Sequence, residues 1–316
     1  MTKKARNNKK YQTINFRHIV QLSAPHSFAA SLCPALFGVF FCLLKGLPLK
    51  EYQAIGLVIA CLLMQAAVNT FNDLIDYIKG TDSQADHLEK SDATLVYERL
   101  NPRHVLAVAM GELLLGALIG VLCSLHWLPI LIGVIGGIVV IIYSGGPFPL
   151  SYYPIGELVS GVVMGGMIPF GVAAATDGRA HWDALLFSIP LIISIGLIMM
   201  SNNGSDIEKD QTAGRKTLPI VLGRPRTVIL FRILLALWLL MIAVGPVIFL
   251  GWIGLLSPVL IAIFVRKPLL FLFRANLAPE HRILQMKSIS IANLLGNGAM
   301  ILSMVAAWII RLLASS

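Results

Sequence analysis

Nine stretches of this chain are apolar over lengths that matter to a lipid bilayer, and they constrain it more than any other feature. They run near residues 27–47, 53–75, 104–125, 128–145, 156–176, 184–203, 227–250, 252–265 and 288–310, the eighth being short. Crossing the hydrocarbon core as a helix takes roughly 20 such residues. Inside that core the chain must pair every backbone N–H and C=O itself, which leaves only helices and closed barrels. The runs are far too long for barrel strands, so they predict helices. The first run is not expected to be a cleaved leader, because it is too long and no small-x-small cleavage pattern follows it.

Charge supports this reading. Only 13% of the 316 residues are charged and 57% are hydrophobic, whereas a soluble domain is about a quarter charged. So few charges would not cover the surface of one large or two modest soluble domains. The expected architecture is an all-α membrane protein. A single bundle of nine transmembrane helices fills residues 26–316, and residues 1–25 form a basic cytoplasmic tail.

The net charge of +9 does not point to nucleic acid, because the basic residues sit between apolar runs rather than along one face. With the N-terminus inside, 20 of the 25 Lys and Arg residues fall in the tail and in the loops after the second, sixth and eighth runs. Lys45, Lys50, Arg179 and Arg311 fall on the other side. That is the positive-inside pattern. It predicts a multi-pass cell-membrane protein whose loops after runs two and six are cytoplasmic. The cysteines, Cys33, Cys42, Cys61 and Cys123, all lie in apolar runs without Cys-x-x-Cys spacing. They read as small apolar residues.

The acids are just as uneven, and the positive-inside rule does not explain them. Ten of the sixteen lie at the end of the second run or in the loops after the second and sixth. In the first acidic segment Asn69, Asn72, Asp73 and Asp76 fall at i, i+3, i+4 and i+7, one face of a continuing helix. In the second, Asn202, Asp206 and Asp210 repeat every four residues. Both present an amide and carboxylates at a helix end on the same side. Oxygen ligands of this kind suit Mg²⁺, which binds through a few carboxylates together with substrate phosphates. Two such ions would clamp a diphosphate, with Lys79, Arg215 and Lys216 neutralising the remaining charge. A single Asp-x-x-x-Asp reads more simply as a solvated helix end. Two amide-plus-carboxylate faces on one side favour the metal reading.

Asn69-x-x-Asn72-Asp73-x-x-Asp76-x-x-x-Gly80-x-Asp82 and Asp206-x-x-x-Asp210-x-x-x-Gly214-Arg215-Lys216-Thr217-Leu218 are the motifs that carry a resemblance. Tyr143-Ser-Gly-Gly-Pro147 followed by Gly156-Glu157 is a third. On these the chain resembles the UbiA superfamily of intramembrane aromatic prenyltransferases, within it most nearly the 1,4-dihydroxy-2-naphthoate polyprenyltransferases of menaquinone synthesis. The resemblance spans nearly the whole chain. It implies a Mg²⁺-dependent enzyme that transfers a polyprenyl group from an allylic diphosphate to an aromatic acceptor. In that branch the acceptor is 1,4-dihydroxy-2-naphthoate, and CO₂ is lost. The implied catalytic residues are Asp73, Asp76, Asp206 and Asp210. The implied metal ligands are Asn72, Asp76, Asp82, Asp206 and Asp210. The chain departs from the superfamily at Gly80, where many members carry a third Asp. It also has Ser205 where the naphthoate branch often has Arg, and Ala24 where Arg usually precedes Pro25.

Asn69, Tyr143, Glu157 and Asn202 are further candidates for the substrate pocket. Against each stands a plainer role: Tyr143 as an interfacial aromatic, Glu157 as a helix-end acid. Glu112 lies within the third run, where a carboxylate is a functional candidate by default. Pro169 after Gly165-Gly166 predicts a kink in the fifth helix. The competing readings are 4-hydroxybenzoate or another aromatic acceptor and, from a different class, a secondary transporter. Transporters place such groups near the midplane on broken helices, whereas these acids sit at helix ends beside Arg and Lys.

Overall fold

The computed structural model describes residues 11–80 and 94–315. Asp82 and the first ten residues of the basic tail lie outside the described residues. The described chain is helical, with no strand beyond an isolated bridge between Gln12 and Leu100.

The chain opens with α1 (Phe16–Leu22) and α2 (Ala29–Lys45). The helical stretches Phe16–Ser27 and Ala29–Lys45 meet at 67°. The elbow between them is Ala24, at φ 45°, followed by Pro25. It is held by a polar knot at depth. Glu112 accepts hydrogen bonds from Ser23 Oγ and Thr70 Oγ1, each at 2.9 Å. Asn69 Nδ2 donates to the Ser23 carbonyl and to Ser27 Oγ, each at 2.8 Å. Glu112 thus has a structural employment: hydroxyl donors replace the water that a membrane carboxyl lacks.

Helix α3 (Glu51–Lys79) continues past its apolar run and ends at Gly80, whose φ of +68° is the usual left-handed stop. The short α4 (Thr94–Glu98) packs beside it through Leu95, with Leu22, Leu74, Leu100 and Val105. Helices α5 (Pro102–Cys123) and α6 (Trp127–Ser144) follow.

Helix α7 (Gly156–Asp177) carries the irregularity expected near Pro169. Its turns widen over Gly161–Met167, just before the proline that supplies no N–H. A Cβ built on Gly165 would lie 2.5 Å from the Ile192 backbone nitrogen, so glycine is what lets the two helices touch here. Ile192 belongs to α9 (Ile189–Ser205), separated by Ser188 from α8 (Trp182–Phe187). Pro190 explains why the run 184–203 is divided.

Beyond the short α10 (Ile207–Thr212) and α11 (Leu218–Leu222) comes α12 (Arg224–Leu250). It buries Phe231, Leu235, Trp238 and Ile242 on one stripe and leaves Ile229, Ile233, Leu240 and Ile248 exposed on the rest. That much exposed aliphatic surface is intelligible against lipid and not against water. Trp238 Nε1 donates to Asn297 Oδ1 at 3.0 Å. This is the interhelical hydrogen bonding on which membrane bundles draw when lipid removes the hydrophobic drive. The chain turns at Gly251 (φ +63°) into α13 (256–274). It ends with α14 (Arg282–Ser315), which starts six residues before its apolar run.

Among the described residues six helices are long and apolar enough to cross a membrane, or seven when the bent pair counts as one span. The chain is a multi-pass membrane protein. The runs 227–250 and 252–265 lie in one continuous candidate, Arg224–Arg274, and α9 is a shorter apolar helix. Nine crossings require α9 to span and Arg224–Arg274 to cross twice.

Candidate active site

Two helix C-termini carry the acids. Asp73 and Asp76 lie in the last two turns of α3, and Asn202 and Asp206 at the end of α9. The negative end of a helix dipole disfavours carboxylates there by about 0.3–1 kcal/mol each. The second cluster is not on one continuous helix as its spacing suggested. The backbone breaks at Asp206 (φ −105°, ψ 15°) and resumes as α10. The i→i−4 bonds nevertheless run through, Asp206 N–H to Asn202 O at 3.1 Å and Asp210 N–H to Asp206 O at 2.8 Å. The register that faces these side chains one way therefore survives the break.

All of them open on one cavity of about 710 Å³. Its polar wall holds Asn69, Asn72, Asp73, Asp76, Asn202, Asp206 and Asp210, joined by Lys209, Arg215 and Arg282. Tyr143 also lines it. The remaining wall is mainly apolar, much of it from α3, α5, α6 and α7, with Met64, Val68, Leu113, Val140 and Met164 among its residues.

Arginines tie the acids together. Arg215 reaches Asp76 at 2.9 Å and Asp210 at 3.3 Å, so it spans both clusters. Arg282 Nε lies 2.9 Å from Asp206 Oδ1, and its Nη2 donates to Asn202 Oδ1 at 2.8 Å. Asn72 Oδ1 accepts from Ser144 Oγ at 2.6 Å, and Asp73 Oδ2 from the Leu95 N–H at 3.4 Å. Burial pushes the Asp210 carboxyl up to about 6, against the pull of Arg215 and with the help of Asp206 and Asp76 nearby. A buried, shifted carboxyl in a cleft is a mark of a functional site.

Three expected residues are not on the cavity wall. Lys79 donates to the Ser144 carbonyl at 3.1 Å and sits 4.3 Å from the centre of the Tyr152 ring, which Arg215 also contacts. The Lys216 side chain is exposed, and its backbone N–H bonds to the Tyr152 carbonyl. Glu157 is buried behind the wall, where it accepts from Asn203 Nδ2 at 2.8 Å. Asn203, Lys209 and Arg282 are wall residues that the motif reading did not select. Lys209 stood between the two acids of the second motif. Arg282 was visible only as one cation among several before the last helix.

Among the described residues no three His, Cys, Asp or Glu side chains form a group that would hold a metal by themselves. The donor set still fits Mg²⁺. It is all oxygen, it comes as two clusters on one cavity, and Mg²⁺ typically takes one or two carboxylates and completes its shell with phosphate and water.

The profile of the UbiA prenyltransferase family matches residues 31–294. The 1,4-dihydroxy-2-naphthoate octaprenyltransferase of Bacillus subtilis (strain 168) is 33% identical over 279 residues, 86% of this chain and 87% of that protein. The enzyme of the same name from Mycobacterium tuberculosis is 34% identical over 191 residues, 59% and 63% of the two chains. Among solved structures, a UbiA homologue from Archaeoglobus fulgidus bound to GPP and Mg²⁺ superposes with a TM-score of 0.62 at 17% identity. It covers 90% of this chain and 99% of that one. On the extent of the family match and of the Bacillus relative, this chain belongs to the UbiA prenyltransferase family.

Proposed function

We propose that this prenyltransferase moves a polyprenyl group from an allylic polyprenyl diphosphate to 1,4-dihydroxy-2-naphthoate with loss of CO₂, giving demethylmenaquinone in its reduced, hydroquinone form. The observation that carries the donor half is the cavity itself. Two acidic clusters joined by Arg215 form one wall and aliphatic side chains the rest, which suits a diphosphate with a long apolar tail. The acceptor half is supported by the likeness to the naphthoate octaprenyltransferases.

Asn72, Asp76, Asp206 and Asp210 would hold Mg²⁺, with Asp82 added from outside the described residues. Bound there, Mg²⁺ would stabilise the charge that develops on the leaving diphosphate. Arg215 and Lys209 would neutralise diphosphate oxygens. Asp73, buried against the α4 backbone, would hold its neighbour Asn72 in place. Asn69, Tyr143 and Asn202 would contact substrate, with Glu157 fixing Asn203 beside them. Lys79 would act from outside the wall, through Tyr152 and Arg215. The aromatic ring attacks the allylic carbon as the C–O bond breaks. At the carboxylated position the electron pair of the C–CO₂ bond then returns to the ring. Departure of CO₂ takes the place of proton loss, and this chain has no need of a base there.

Nine crossings with a cytoplasmic N-terminus would put both acidic segments in the cytoplasm, where charged substrates are made. The decisive experiment offers purified protein Mg²⁺, one polyprenyl diphosphate, and the naphthoate and 4-hydroxybenzoate in competition. Products are identified by mass. A prenylated naphthoate lacking the carboxyl mass is the expected result. Exclusive prenylation of 4-hydroxybenzoate with its carboxyl retained overturns the acceptor and keeps the reaction class.

A further inference from the structure

Arg282 comes from the first turn of α14, 76 residues away from the Asp206 it binds. Its Nε lies 2.9 and 3.1 Å from the two Asp206 oxygens, and Nη2 takes Asn202 Oδ1. It therefore occupies the oxygens that the second cluster would offer to a metal. Among the described residues its Nη1 makes no hydrogen bond, and the side chain lines the cavity.

Arg282 is not what fastens α14. Gln285, one turn on, donates to Ser205 Oγ at 3.0 Å and to the Ala278 carbonyl at 3.1 Å. Deeper in the bundle Asn297 donates to Ser194 Oγ at 3.0 Å and accepts from Trp238. These anchors leave Arg282 free to exchange partners without moving its helix.

Charge gives it a second partner. The cavity wall carries four carboxylates, Asp73, Asp76, Asp206 and Asp210, against Lys209, Arg215 and Arg282, which leaves one negative charge. Two divalent ions and a triply charged diphosphate ester together add one positive charge. With Arg282 counted, the described wall and its load sum to zero, and Asp82 from outside the described residues would add one more negative charge, so the loaded site has use for this cation. A guanidinium also matches phosphate oxygens with its planar fork as well as it matches a carboxylate.

We infer that Arg282 is a partner-switching residue. In the metal-free protein its guanidinium stands in for the cation on Asp206 and Asn202. When metal takes those oxygens, Arg282 transfers to the diphosphate of the donor. The inference rests on the donor and metal proposed above. It makes Arg282 a competitor of the metal alone and a partner of the metal with diphosphate, two effects of opposite sign.

The test is binding, measured by calorimetry on the full chain in detergent. The probes are Mn²⁺ or Mg²⁺ alone and, at saturating Mg²⁺, a thiolodiphosphate analogue of geranyl diphosphate that does not ionise. Arg282→Gln is expected to bind metal alone about tenfold more tightly and the analogue at least about tenfold more weakly, the scale of one charged hydrogen bond. Arg282→Lys, which keeps the charge but not the fork, should fall between. A variant that weakens both, or changes neither, marks Arg282 as a plain structural pin and overturns the inference. Thermal unfolding of each variant in the same detergent separates a lost fold from a lost partner. If the wild-type protein itself binds the analogue without needing metal, the metal reading fails and the switch falls with it.

Discussion

Arg215 donates to Asp76 across 139 residues of sequence, and the same guanidinium lies 3.3 Å from Asp210. One cation therefore joins the end of α3 to α10. Both carboxylates are at most about a tenth exposed, so removing the cation leaves two buried negative charges facing each other. Arg215→Ala is expected to raise the donor KM at least about tenfold while leaving the acceptor KM within about twofold. Replacing the neighbouring Lys216, exposed and off the cavity wall, by Ala should leave both KM values within about twofold. Steady-state kinetics with each substrate varied in turn separates the two. Equal effects from both variants would return the pair to a general electrostatic role.

Asp76→Ala and Asp210→Ala should each abolish transfer and metal-dependent donor binding. They remove proposed ligands and not core volume, so the detergent-solubilised protein should keep its helical circular dichroism. If both variants keep near-normal turnover, the two-cluster metal site is wrong.

The two clusters were legible because helical spacing is a local property: Asn72 and Asp76, or Asn202 and Asp206, share a face whatever the tertiary fold. The apolar runs were legible for a similar reason, since bilayer thickness fixes their length. Arg282 was not legible, because its partners lie 76 and 80 residues away and no local period links them. The break at Asp206 was also hidden. The run of i→i−4 bonds gives the sequence pattern of one helix although the dihedrals there leave the helical region. Lys79 and Lys216 were selected by proximity to the motifs; Lys79 instead packs over the Tyr152 ring, and Lys216 is exposed, with its backbone N–H on the Tyr152 carbonyl.

Orientation can be read with cysteine labelling in intact cells. Thr212 and Arg179 are both exposed, the first beside the acidic segment and the second in the loop between α7 and α8. A cysteine at 212 should resist an impermeant maleimide until the cells are opened, and one at 179 should react at once. The native cysteines, three buried and one half-buried, give a low background. The reverse pattern puts the acidic segments outside and removes the cytoplasmic site.

Close approach of α7 to α9 predicts a packing defect at one glycine and not at another. A Cβ on Gly165 would meet the Ile192 backbone at 2.5–2.6 Å, whereas one on Gly136 has nothing within 4 Å. Gly165→Ala should cost about 1–3 kcal/mol through overpacking, and Gly136→Ala nearly nothing. Thermal unfolding in one detergent compares them. Equal stability of the two variants would mean that α7 and α9 do not touch as closely as this.

Gly133 and Gly136 both line the apolar part of the cavity, and neither has an atom within 4 Å of its ideal Cβ. Space of that kind on the wall of a tail groove is space a prenyl chain can use. The Cβ position at 136 is open, so a phenyl group placed there is expected to project into this space and to leave the fold and the diphosphate wall intact. Gly136→Phe is therefore expected to keep near-normal kcat/KM for geranyl diphosphate. For a donor of seven or eight isoprene units it should lose at least about tenfold, the loss expected when several buried methylene groups are excluded. The measurement is kcat/KM across a series of donor lengths with the acceptor saturating. A uniform drop at every length means the substitution disturbs the site as a whole. An unchanged profile means that the tail leaves the cavity before reaching α6 and runs directly into lipid.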